Sequence, residues 1–541
     1  MRRYLPYLGL AGLLAIFWVW THDYMLPGYT GLFNDDATYF TSARAMAEGR
    51  GYVVGWATPP YPADRYPIGY PAWLALFWTF PLALLETRVR MAQEANILLA
   101  TLFLLVSFLF AYRKLGLPAW ACLAGIGLAA LSPFCLYYTP TLMSDLPAAL
   151  CLVAGLWLVV RYVEKPGFWR VAAAGAVTAL AVLVRYQAGV LLIVGVAYLL
   201  WQRRFKAAAA YGGLTLALLA PWIWWVASNH AFGYASQIGH VTFGTWTMRA
   251  LTLLFSSAYM FLQGIPSFLW QRQFLTRFPF RTNIALDDPV FILVGLAISG
   301  LILAGIVLAM RRKELRLPGA LVLGTLALVL VWQTGFLNLG EHLTVRLILS
   351  VAPLMLVFAF VGWADGLAQA HRPFRILAAT ALGLAVVING AAAFTLWQKM
   401  KVRTVPDMIG DRYRLQALVS EFARQVPEDV LAGSNFEPLF HLITGRPCTG
   451  APNSPKLLAA QILTEPRLRF LVMVPSPVGT RDLTIEAIRA INRRFPRLIY
   501  TIEGSDGQPT GVFRIERSAI DKAPVLEDDE DLPAKQEPPR E

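Results

Sequence analysis

Two adjacent carboxylates, Asp35 and Asp36, stand in the stretch FNDDATYF (33–40), just beyond an apolar run long enough to cross a bilayer. Asn34 or Asp35 suits a helix N-cap and Gly49 suits a stop, so the spacing predicts a short helix over 36–48. At about 100° per residue, Tyr39, Ala43 and Met46 share one face, with Arg44 and Glu48 opposite. The two carboxylates fall on either side of the Tyr39 direction. Such a helix would lie along the membrane surface with its acids aimed at the protein rather than the water. Two readings follow. The pair caps the helix, or one carboxylate serves as a base at a membrane surface, where withdrawal from water makes it more basic.

The remaining candidates are mostly cations. WATPPYPADRYPIGYPAW (56–73) interleaves Tyr and Pro around Arg65 and Tyr66, and its prolines make it a rigid, irregular lead into the next membrane segment. Arg65 suits a bound phosphate and a lipid headgroup equally. Asp145, in TLMSDLPAAL, opens an apolar span with Pro147 in its first turn, the pattern of a capping residue as well as of a functional acid. Arg185, in LAVLVRYQAGVLL, lies between two spans. Glu341, His342 and Arg346, in NLGEHLTVRLILSVAPLM, open another. There Glu341 is the natural ion-pair partner of Arg346, and His342 reads more readily as an interfacial histidine than as a metal ligand. An arginine at the outer face of a membrane is the residue type best suited to a lipid phosphate, because its planar fork meets two oxygens at once.

The elements that must position these groups are membrane helices. Of 541 residues, 57% are hydrophobic and 15% charged, far from the balance of a soluble domain. Apolar windows of roughly twenty residues recur down the chain, predicting a polytopic α-helical protein with about 11–13 transmembrane helices. The net charge of +13 comes largely from short basic segments between spans, such as 161–170, WQRRFK (201–206), RRKELR (311–316) and HRPFR (371–375). That is the signature of cytoplasmic loops, not of a nucleic-acid surface. Alternation from them puts the MSDLP segment, the loop 228–288, the segment at Asn338 and everything after Lys399 on the opposite side. MRRYLPYLGLAGLLAIFWVW has a basic start and an apolar run but lacks a small-residue cleavage pattern, so it reads as a retained anchor. Cys122, Cys135 and Cys151 fall in spans and Cys448 stands alone, a pattern with neither zinc spacing nor a disulfide framework.

Past about residue 399 charge rises and apolar runs shorten. Strands are expected at 468–475, 497–503 and 511–516, and helices at 412–425 and 484–495. The predicted organisation is a membrane domain over 1–398 with amphipathic helix in its first outer loop (about 23–67), a small soluble α/β domain over 399–520, and an acidic, Pro-rich disordered tail over 521–541.

Taken in order, NDDATYFTSARAMAEGRGY, RYPIGYPAW, TLMSDLPAAL, LAVLVRYQAGVLL and VRLILSVAPLMLVFAF resemble the C-type membrane glycosyltransferases, the superfamily of the protein O-mannosyltransferases and the lipid A aminoarabinose transferases. PLFHLITGR (438–446) is similar to the soluble tails of bacterial members. The resemblance implies transfer of a sugar, with inversion, from a polyprenyl-phosphate carrier to a glycan, lipid or protein acceptor on the outer face of the bacterial inner membrane. It implies Asp35 or Asp36 as the base toward the acceptor, and Arg346 on the carrier phosphate with Arg65 or Arg185 as further cations. Tyr66, Asp145, Glu341 and His342 would form the surroundings. No metal is obligatory on this reading, although Asp35, Asp36, Glu341 and His342 are of types that could hold a divalent cation. The alternatives are a polymerase or ligase of lipid-linked glycans, and a lipid-glycan transporter or flippase. The transporter calls for ionisable residues near mid-membrane, whereas here they gather at one face.

Overall fold

A computed structural model describes residues 4–23, 25, 35–57, 59–63, 65–81, 84–229, 289–335, 346–368, 430–434, 437–451, 455–472, 499–503 and 509–516, with scattered positions from 376 to 398. Glu341, His342, the loop 230–288, the helices expected at 412–425 and 484–495 and the tail 521–541 lie outside the described residues. The chain divides into two compact units. One comprises 1–29 and 62–402, and the other 30–61 and 403–541.

The first unit is helical. Its described helices are α1 (Leu5–Asp23), α3 (Gly69–Thr79), α4 (Leu85–Leu109), α5 (Ala119–Ala130), α6 (Pro133–Tyr138), α7 (Asp145–Glu164), α8 (Phe168–Val184), α9 (Val190–Trp201), α10 (Phe205–Ser228), α11 (Pro289–Ala309), α12 (Arg316–Gly335) and α13 (Ala352–Ala368), while α2 (Asp35–Ala47) belongs to the second unit. Five described helical stretches are long and apolar enough to span a bilayer, and five shorter apolar helices accompany them. In hydrocarbon the backbone must satisfy itself, which is why these Leu-, Ala- and Val-rich runs are helices. The protein is a polytopic helical membrane protein, as its sequence predicts.

Helix α7 packs on α8 and α4, and α13 on α11 and α5. From Ala352 to Gly362 α13 is buried on every side, so it runs through the middle of the unit. Its neighbours reach it through glycine. A Cβ at Gly125 of α5 would lie 2.7 Å from the Val357 nitrogen, and one at Gly305 of α11 would lie 2.6 Å from the Ala359 oxygen. Membrane helices gain contact by such backbone approach, since burial from lipid supplies little.

In the second unit five strands, β1 (Leu431–Ser434), β2 (Cys448–Gly450), β3 (Leu468–Val472), β4 (Ile499–Glu503) and β5 (Pro509–Ile515), form a mixed sheet in the order β2-β1-β3-β5-β4. The pairs β1–β2 and β1–β3 are parallel, with Gly433 opposite Leu471, and the β3–β5 and β4–β5 pairs are antiparallel. Two helices, α14 (Glu437–Thr444) and α15 (Pro455–Thr464), supply the parallel crossovers. Leu458 and Ile462 of α15 bury one cluster with Leu468, Leu471 and Phe513. Leu439 and Phe440 of α14 bury another with Ala432, Cys448 and Val472, and Ala37 of α2 completes it. The Cys448 N–H donates to the Trp56 carbonyl at 2.8 Å. Helix α2 is thereby part of the core of the α/β unit. This explains why it is covered more fully than a helix resting on a membrane: Phe40, Thr41, Ser42 and Ala45 are buried along with Tyr39 and Ala43.

Candidate functional site

In the membrane unit, three of the expected residues meet. Asp145 is the first residue of α7, and the preceding Ser144 occupies the N-cap position without a side-chain cap bond. One Asp145 carboxylate oxygen accepts from Arg346 Nε at 2.9 Å, and the other lies 3.1 Å from Arg185 Nη2. Arg185, in extended backbone directly after α8, also donates through Nη1 to the Ser144 hydroxyl at 3.0 Å. The Asp145 and Arg346 side chains are 3% and 5% exposed, and that of Arg185 17%. Gln187 donates to the Leu347 carbonyl at 2.8 Å, tying the turn after Arg185 to the residue after Arg346. Asp145 is therefore a shared anion for two guanidiniums rather than a simple cap. Together the three side chains carry one positive charge, in a place where a bare cation would be costly.

Supporting residues that sequence reasoning passed over tie neighbouring elements of this unit together. Asn96 of α4 donates to the carbonyls of Thr141 at 2.6 Å and Met143 at 3.4 Å, and accepts from the Tyr70 hydroxyl at 3.2 Å. It fixes the turn that delivers Asp145. The signal was available: an asparagine inside an apolar span is expensive unless it has partners. His22, near the end of α1, lies 2.7 Å from Glu94 through Nε2 and 2.9 Å from the Trp18 carbonyl through Nδ1, joining α1 to α4.

Arg65 is exposed and stands 5.3 Å from the centre of the Tyr66 ring, which is itself buried. A Cβ at Gly69 would fall 2.7 Å from the Leu183 carbonyl oxygen. The RYPIGYPAW segment thus runs against the end of α8, two residues before Arg185, an approach that only glycine permits.

Asp35 and Asp36 lie in the other unit, in the first turn of α2, where the helix dipole favours negative charge. Asp36 is fully buried and one of its oxygens accepts from the Ala37 N–H at 2.9 Å, whereas Asp35 is half-buried. Ala37 is wedged among Leu439, Phe440 and Val472, so the sheet's core holds the acid-bearing turn in place.

At the other end of α2, Arg44 Nε donates to Glu48 at 2.7 Å and Arg50 Nε donates to the same carboxylate at 2.9 Å. Partial burial pushes the Glu48 carboxyl up, but the hydrogen bonds and charges of Arg44 and Arg50 outweigh it and hold the group below its usual range. His441 of α14 is buried and approaches the Arg446 carbonyl through Nδ1 at 2.8 Å. Burial chiefly, with Arg44 and Arg50 adding repulsion, holds its imidazole below the ordinary value. Among the described residues no three His, Cys, Asp or Glu side chains gather as a metal-binding group.

Residues 71–225 match the family model described as dolichyl-phosphate-mannose-protein mannosyltransferase. Among curated proteins none matches this sequence. Among solved structures, ArnT from Cupriavidus metallidurans bound to undecaprenyl phosphate superposes with a TM-score of 0.53 at 14% identity, over 94% of this chain and 98% of that one. The same protein in the apo state gives 0.52 at 15% identity, over 95% and 98%. The archaeal oligosaccharyltransferase AglB from Archaeoglobus fulgidus, in complex with an inhibitory peptide and a dolichol-phosphate, gives 0.52 at 12% identity, over 97% and 75%. At such identities the likeness is one of fold, and the fold is that of the C-type membrane glycosyltransferases, the one expected from the order of motifs along the sequence.

Proposed function

We propose that the protein is a membrane glycosyltransferase that moves a sugar from a polyprenyl-phosphate carrier to an acceptor hydroxyl or amine, with inversion, on the periplasmic side of a bacterial inner membrane. The observation that carries this reading is the cluster of Arg346 and Arg185 on Asp145 at the start of α7. The buried Arg346 and the half-buried Arg185 share one carboxylate, and the carrier phosphate is the second anion that this pair of guanidiniums would bind. Arg65 is the further cation of this subsite.

In the reaction the acceptor gives up its proton to Asp36 as its oxygen or nitrogen bonds to the anomeric carbon. The bond from that carbon to the carrier phosphate oxygen breaks, and polyprenyl phosphate leaves with the electron pair. The charge growing on the phosphate falls on fixed guanidiniums that need no reorganisation, which is where most of the rate enhancement of such transfers arises. Asp36 is chosen over Asp35 because it is fully buried and anchored, so its geometry toward an acceptor is set in advance. A capping role for Asp35 is compatible with this.

The test is transfer from a radiolabelled polyprenyl-phosphate sugar to a membrane extract by purified protein, compared with Asp36→Asn, Asp35→Asn and Arg346→Ala. Loss of transfer in Asp36→Asn with carrier binding retained, and loss of both in Arg346→Ala, is expected. Full transfer by all three variants would overturn the assignment.

A further inference from the structure

The end of the membrane unit remote from Asp145 takes no part in the reaction above. Helix α7 runs 20 residues from Asp145 to Glu164, about 30 Å, the thickness of a bilayer's hydrocarbon. At its far end the Arg204 guanidinium donates to the Val163 carbonyl, and the Tyr162 hydroxyl donates to the Ala207 carbonyl at 3.4 Å. These bonds join the α9–α10 loop to the end of α7. The same loop meets α12, where the Arg316 guanidinium carbon lies 5.7 Å from the centre of the Trp201 ring. The basic segments 161–170, 201–206 and 311–316, scattered in sequence, thus come together at one end of the helices.

The middle loop is built at a cost. Helix α9 ends on a turn that caps its last carbonyls: the Arg203 N–H donates to Leu200 at 2.8 Å and the Arg204 N–H to Leu199 at 2.9 Å. That turn sets Arg203 at φ 59°, the left-handed region where glycine is the usual residue. Among the described residues no other non-glycine residue has a positive φ. A side chain kept where glycine would sit with less strain points to a use outside the turn. Charge says what that use is. The three segments hold ten Lys and Arg against two Glu, and one of those acids, Glu164, is taken by Lys114. Arg204 and Arg170 donate to neutral carbonyls, and among the described residues neither Arg203 nor Lys206 has a carboxylate partner. The surface therefore presents positive charge that nothing in the described protein balances.

Exposed aromatic side chains flank these cations. Phe168 and Trp169 open α8, Trp201 and Phe205 bracket the loop, and of these Trp169 is 81% and Trp201 64% exposed. Rings at headgroup level beside guanidiniums match a membrane–water interface, whereas a water-borne acidic partner would leave the rings wet. We infer that the loop 201–206, with Trp201, Arg203, Lys206 and Arg316, is a binding site for the headgroup of an anionic phospholipid in the leaflet at that end. Arg203 meets the phosphodiester oxygens, Lys206 and Arg316 add to the attraction, and the acyl chains lie along Trp201 and Phe205. A zwitterionic headgroup brings its own cation and cancels the attraction, so the site selects lipids of net negative charge. Because the loop is bonded to the end of α7, a lipid held there steadies the helix that begins at Asp145.

Binding is read without turnover, and so independently of the proposed transfer. Full-length protein in uncharged detergent is titrated with dioleoylphosphatidylglycerol, dioleoylphosphatidylcholine, inorganic phosphate and poly-glutamate, following Tm and counting bound lipid by native mass spectrometry. Saturable binding of the phosphatidylglycerol is expected, about tenfold tighter than that of the phosphatidylcholine, the worth of one charge-assisted contact. Arg203→Gly is the sharper test because its two effects oppose each other. Glycine relieves the left-handed backbone, so the lipid-free variant should melt at least as high as wild type. Its phosphatidylglycerol affinity should nonetheless fall about tenfold, and the Tm gain from that lipid should shrink. Arg316→Gln should weaken the same binding from the α12 side. Equal binding of the two lipids, equal stabilisation by inorganic phosphate or poly-glutamate, or unchanged phosphatidylglycerol affinity in both variants would overturn the inference.

Discussion

Asp145→Asn removes the one carboxylate between Arg185 and Arg346 while keeping its shape. With contacts of 2.9 and 3.1 Å and side chains 3%, 5% and 17% exposed, the charge is lost from a place where water cannot replace it. Taking away one partner of a buried ion pair costs about 3–5 kcal/mol, most of it from the charge left behind. Arg346→Gln should cost less, because Asp145 keeps Arg185. The Asp145→Asn/Arg346→Gln double variant should recover part of the loss, giving a coupling of about 1–3 kcal/mol. The assay is thermal unfolding of detergent-solubilised protein for the four members of this cycle, with and without polyprenyl phosphate. Asp145→Asn should melt lowest, and the carrier should raise its Tm by more than it raises that of the wild type, since the phosphate supplies the missing anion. An Asp145→Asn protein as stable as wild type, or strictly additive effects, would refute the view that Asp145 holds these arginines for a phosphate.

Asn96→Leu deletes two donated and one accepted hydrogen bond below Asp145, and should destabilise by about 2–4 kcal/mol while slowing transfer, read as Tm and as kcat/KM for the donor. Unimpaired transfer would detach the 141–143 turn from the site. Buried His441 makes the α/β unit acid-sensitive. The fold holds the imidazole below its unfolded value of about 6.5, so stability is whole above that value and is lost as pH falls from it toward the lowered folded one. Unfolding followed against pH should show this loss in wild type and not in His441→Asn. Burial first, and Glu437 second, push the Cys448 thiol well above its ordinary value, so it should resist maleimide at neutral pH until the unit is unfolded.

The sequence by itself determined the class of molecule and the order of its functional segments. Runs of apolar residues of bilayer length admit only helices in lipid, so the class follows from local composition. The same holds for the helix bearing Asp35 and Asp36, predicted over 36–48 and observed over Asp35–Ala47, because cap, stop and apolar spacing all lie within the single stretch 34–49. The strands expected at 468–475, 497–503 and 511–516, and observed over Leu468–Val472, Ile499–Glu503 and Pro509–Ile515, were likewise legible from short β-branched and aromatic runs. What only the tertiary structure decided was partnership. Asp145, Arg185 and Arg346 are separated by 40 to 201 residues, and an ion pair leaves no periodic trace in a chain; Glu341, the partner that sequence proximity offers Arg346, lies outside the described residues. The placement of α2 was equally hidden. Its apolar face suits a membrane surface as well as a sheet, and only the fit of Ala37 between Leu439, Phe440 and Val472 selects the sheet.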